Sequence, residues 1–80
     1  MKTAEYLRDE ILKLRPTYEG PSEYGDRVMP VLATYQSLES FEERKAFQDA
    51  LELLLKSNVE DERRYAVDIC LGFFIFRDAI

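Results

Sequence analysis

The 80-residue chain contains no histidine, one cysteine, 16 carboxylate side chains and five tyrosines. That inventory bounds its chemistry. Without imidazole it lacks the commonest general base near neutral pH, the usual activator of a nucleophile and the commonest transition-metal ligand. Cys70 lies in the run Ile69-Cys70-Leu71, where a small buried hydrophobe is the ordinary expectation, and no imidazole is present to activate its thiol. A single cysteine also excludes an internal disulfide. Carboxylates could hold a cation if they faced one another. However, Asp9-Glu10, Glu42-Glu43 and Glu60-Asp61-Glu62 are contiguous, and a helix turns adjacent side chains about 100° apart. The acidic run also lacks the alternation and central glycine of a calcium loop. Gly20 and Gly25 have neither the spacing nor the following Lys-Ser/Thr of a phosphate loop. These residues predict no catalytic, cofactor-binding or metal-ligating site, and a protein that is not an enzyme.

What remains is recognition chemistry. Tyr18, Glu19, Glu23, Tyr24 and Asp26 are gathered around Gly20, Pro21 and Gly25. Tyrosine offers a large rigid contact area at low entropic cost, and the interleaved carboxylates suit a basic protein partner. These five are the candidate partner-binding residues. The two tyrosines could equally fold back over the core. With 11 basic against 16 acidic residues, the net charge of −5 opposes binding to nucleic acid, which needs clustered Lys and Arg. It also opposes docking on an anionic membrane. A simpler role for the charge is solubility. The N-terminal Met1-Lys2-Thr3-Ala4-Glu5 is not an apolar signal core. The longest uncharged apolar run, Ile69 to Phe76, is far short of the ~20 residues of a membrane span. Together these features predict a soluble, cytoplasmic, single helical domain over residues 1–80.

Four helical segments must position these residues. The first spans about Ala4–Leu14, with Thr3 as N-cap and Leu7, Ile11 and Leu14 as its apolar stripe. Pro16 ends it. Residues 17–25, with two glycines and a proline, read as a loop. The second helix spans about Asp26–Ser37, capped by Asp26 and presenting Val28, Val31, Leu32 and Tyr35, with Pro30 in an irregular first turn. The third opens on the capping box Ser40-Phe41-Glu42-Glu43, followed by Phe47, Ala50, Leu51 and Leu54. Glu52 and Lys56 are spaced to pair on it. The fourth starts near Asn58 or Val59, with Glu60, Asp61 and Glu62 at the positive end of its dipole. Ala66, Ile69, Cys70 and Phe73 form its expected buried stripe, and Arg64 and Asp68 are spaced to pair on another face. The expected fold class is all-α, about four helices packed as two antiparallel hairpins, HEAT-like or a small bundle.

Val59 to Gly72, read as Val-Glu-Asp-Glu-Arg-Arg-Tyr-Ala-Val-Asp-Ile-Cys-Leu-Gly, resembles the second helix of a HEAT-type repeat. In that family the helix opens on acidic residues, then carries an Arg, an Ala three residues on, an apolar pair and a Gly. Arg63, Ala66, Cys70-Leu71 and Gly72 stand at those places, and Ser40 to Lys56 has the length of the partner helix. The resemblance implies an α-solenoid that binds proteins and carries over no particular site residue. The long loop and Pro30 of the first half depart from the pattern. In size, acidity and helical content the chain is also similar to the small immunity proteins that neutralise nuclease bacteriocins. It lacks their Asp-x-Ile-Tyr-Tyr-Pro signature, so only the physical strategy is shared, that of an acidic inhibitor occupying a basic partner.

Beyond Leu71 the chain is apolar on every side. Phe73, Phe74, Ile75 and Phe76 crowd one turn before Arg77-Asp78-Ala79-Ile80. A helix apolar all round must be buried all round. Phe73, Phe74 and Phe76 are therefore expected to contact a twin subunit, a partner or a continuation of the chain. The functional expectation is a protein-binding helical module. The alternative is a fragment or self-associating subunit of a longer helical-repeat scaffold.

Overall fold

The structure, a computed structural model, describes residues 2–15 and 24–77, and says nothing of the side chains of Tyr24 and Asp26. It contains four helices: α1 (Ala4–Lys13), α2 (Tyr24–Gln36), α3 (Phe41–Leu55) and α4 (Glu60–Ile75). No strand occurs among the described residues. The protein is all-α, a small helical bundle. The four residues between α3 and α4 fold these helices back on each other as a hairpin. α1 packs on α3, and α2 packs on α4.

α1, α3 and α4 each begin for local reasons. Thr3 holds extended backbone, and its hydroxyl oxygen accepts from the Tyr6 amide at 3.1 Å, capping α1. The Ser40 hydroxyl oxygen accepts from the Glu43 amide at 3.1 Å, capping α3. The capping box closes differently from the expected reciprocal pattern. The Ser40 hydroxyl itself donates to Glu43 Oε1 at 3.2 Å, which ties cap and carboxylate side chain to side chain. Val59 begins α4 with no side-chain cap of its own. Ser57 substitutes for it: its Oγ accepts from the Val59 amide at 3.1 Å and donates to Glu62 Oε1 at 2.8 Å, while Arg63 Nη1 donates to the Ser57 carbonyl.

Three local expectations are corrected. Asp26 is not the N-cap of α2. The helix starts at Tyr24, which leaves Pro30 in its interior as the seventh residue, where the missing N–H removes the bond to the Asp26 carbonyl. The Glu52–Lys56 pair does not form, although the Lys56 amide, at the C-cap of α3, still donates to the Glu52 carbonyl at 3.1 Å. Leu14, likewise the C-cap of α1, is exposed rather than continuing the stripe of Leu7 and Ile11.

The core is built as the periodicity requires from Leu7 and Ile11 of α1, Val31 of α2, Phe47, Ala50, Leu51 and Leu54 of α3, and Ala66 and Ile69 of α4. Two members have no counterpart in the expected stripes: Leu38 in the α2–α3 connection and Tyr65 of α4, which is fully buried. Three rings join the helices at one end. Tyr35 of α2 meets Phe47 of α3 at 5.2 Å and Phe73 of α4 at 4.8 Å between centroids, and Phe47 meets Phe73 at 5.9 Å, all edge-to-face.

Candidate binding site

The burial of Tyr65 decides what α4 shows to solvent. The inner face of this helix is Tyr65, Ala66, Ile69 and Gly72, with Phe73 packed against the core. On the opposite side stand Val67, Leu71, Phe74 and Ile75, about one and two turns apart, at 48%, 50%, 68% and 58% exposure. Their spacing of four, three and one residues makes them a continuous apolar stripe. Cys70 borders this stripe and is exposed, contrary to the expectation of a buried residue. The inner face is centred on Tyr65 and Ile69, and one further residue turns Cys70 away from it. Burial nevertheless pushes the Cys70 thiol pKa up, so the group stays a poor nucleophile.

The three phenylalanines expected to share an outside contact divide among three environments. Phe73 belongs to the aromatic cluster. Phe76 is half-buried near the first turn of α2, and a Cβ added to Gly25 would lie 3.9 Å from its ring. Phe74 alone of the three stands exposed, with the Arg77 guanidinium 5.1 Å from its ring centroid. Of the expected partner-binding residues, Tyr18, Glu19 and Glu23 lie outside the described residues, while Tyr24 and Asp26 belong to the first turn of α2 rather than to a loop. Val67 and Leu71 were legible as apolar, but their face depends on which side of α4 the core claims.

At the end of the bundle that holds the aromatic cluster, a cleft of about 490 Å³ lies between the last turn of α2, the start of α3 and the end of α4. Its lining consists of Tyr35, Gln36, Arg44, Phe73 and Arg77. Arg44 is held in place by donation from Nε to the Leu38 carbonyl at 3.2 Å and by the Tyr35 ring, 5.9 Å from its guanidinium carbon. Buried Leu38 thereby positions the Arg44 side chain through its backbone.

Among the described residues no group of three or more Cys, Asp or Glu side chains is arranged to hold a metal ion. No helix among them is long and apolar enough to cross a membrane. Comparison with protein-family models, curated proteins and solved structures finds no match to the chain.

Proposed function

We propose that this protein is a non-enzymatic helical module that acts by binding another protein, with the outer face of α4 as its contact surface. The observation that carries this is the stripe Val67, Leu71, Phe74 and Ile75, each about half exposed or more although the same helix buries its other side. Covering such a side chain stabilises a complex by about 1 kcal/mol. Contiguous apolar surface of this kind is characteristic of interaction sites. The acidic, tyrosine-bearing segment of residues 18–26 extends the reading to an inhibitor or immunity-type protein that takes a basic partner, with the net charge of −5 favouring approach.

The double variant Leu71→Glu, Phe74→Glu tests the assignment. It should keep the denaturant midpoint of the parent, since neither side chain is in the core, and lose a partner that the parent captures from its native host. Retention of that partner by a folded double variant would remove α4 as the contact surface. The same stripe also favours a second reading, a self-associating subunit of a helical-repeat scaffold, because four-three spacing allows two such helices to pack along a common seam. The α3–α4 hairpin is the unit that such a repeat would stack. Equilibrium sedimentation separates the two: a monomer supports the binder, and a dimer broken by Leu71→Glu supports the subunit.

A further inference from the structure

We infer that the cleft between the end of α2, the start of α3 and the end of α4 receives a carboxylate side chain from the bound protein segment, an acidic residue next to an aromatic or aliphatic one. This rests on the reading of α4 as a protein-binding surface and adds the chemistry of the partner.

Arg44 and Arg77 line the cleft, and among the described residues neither is ion-paired with a carboxylate. Arg44 uses its Nε on the Leu38 carbonyl and lies over Tyr35, and Arg77 lies over Phe74. In a chain with 16 carboxylates and only 11 basic residues, two arginines that pair with no carboxylate among the described residues are available to one from outside. The planar guanidinium fork suits a carboxylate in bidentate geometry. The remaining walls are the rings of Tyr35 and Phe73 and the side chain of Gln36, which suit an apolar body beside the charged group.

The cleft and the stripe meet at Arg77. Phe74 belongs to the stripe and stacks with Arg77, and Arg77 lines the cleft. A segment lying along Val67, Leu71 and Phe74 therefore ends beside Arg77, with Arg44 on the lining of the same cleft. The charge of the whole molecule selects for such delivery. A free anion meets a net charge of −5, whereas a carboxylate carried on a docked apolar segment acts at contact range. There the two arginines of the cleft dominate, and charges more than about 8–10 Å away are screened.

The test is titration of the full chain with two probes, acetyl-Phe-Glu-amide and acetyl-Phe-Gln-amide, followed through the arginine Nε–H and aromatic NMR resonances. Saturable shifts at Arg44, Arg77, Tyr35 and Phe73, with the Glu peptide binding at least about tenfold more tightly than the Gln peptide, support the assignment. Arg77→Gln, at an exposed position, should remove most of that difference while leaving the remaining spectrum in place. Arg44→Lys, which keeps the charge without the fork, should reduce it. Equal binding of the two peptides, or shifts away from the cleft, overturns the assignment. Saturation by inorganic phosphate at lower concentration than the Glu peptide also overturns it, in favour of a phosphate site. A self-association that protects both arginines overturns it too. Leu71→Glu distinguishes this proposal from the one it rests on: peptide binding that survives in that variant, together with undiminished partner capture, would leave the cleft standing and remove the α4 contact surface.

Discussion

Cys70 and Tyr65 show how much a single position decides. The thiol of Cys70 stands at the border of the exposed stripe, and burial raises its pKa above the ordinary 9.0. A raised value means that the folded chain holds the proton longer than the unfolded one. Its contribution to stability is complete below the unfolded value and is lost as pH climbs through the folded one. The rate of Cys70 alkylation by iodoacetamide should accordingly rise with a midpoint above that of a free thiol. A midpoint below it would mean an activated nucleophile, contrary to the environment described. Tyr65 has no exposed surface, while Phe74 is 68% exposed. Tyr65→Ala should cost about 3–5 kcal/mol through the cavity it leaves, and Phe74→Ala less than about 0.5 kcal/mol. Urea titration of the two variants checks the contrast, and similar losses would mean that the outer face of α4 is already covered.

At the scale of the elements, the caps are local and the proline is not. Ser40 both accepts from the Glu43 amide and donates to the Glu43 carboxylate, so Ser40→Ala should destabilise the protein by about 1 kcal/mol. An unchanged denaturant midpoint would show that the cap contributes nothing. Pro30 is exposed and interior to α2, where an alanine restores the missing amide bond. Pro30→Ala should raise stability by about 1–3 kcal/mol, visible as a higher thermal midpoint. A loss would mean that the fold depends on the irregularity the proline imposes. The Thr34 hydroxyl already donates to the Pro30 carbonyl at 3.0 Å, a local bond that helix-bending side chains commonly make.

Across the whole molecule, the aromatic cluster of Tyr35, Phe47 and Phe73 ties α2, α3 and α4 together and forms part of the cleft beside it. A change in the cluster should therefore reach the cleft. Phe47→Leu, which removes two of the three ring contacts without lining the cleft, should cost about 1–2 kcal/mol and shift the Arg44 Nε–H resonance. An unmoved resonance would mean that Arg44 is positioned by the Leu38 carbonyl alone.

Four helices, their two serine and threonine caps and most of the core were legible in the sequence because these depend on neighbours within one or two turns. Leu7 with Ile11, and Phe47 with Ala50, Leu51 and Leu54, recur at helical spacing and are buried together. The α4 face could not be read there. From Ala66 to Phe76 its apolar residues occupy every side, so periodicity offers several inner faces of nearly equal merit. Only packing against α3 and α2 selects the side of Tyr65 and Ile69, and that choice turns Cys70, Leu71 and Phe74 outward. The cleft was still less accessible to sequence reading. Tyr35, Arg44 and Arg77 belong to three helical segments and are neighbours only because those segments converge. Local spacing determined which residues form helices, and competition among helices for burial determined which of them stay exposed.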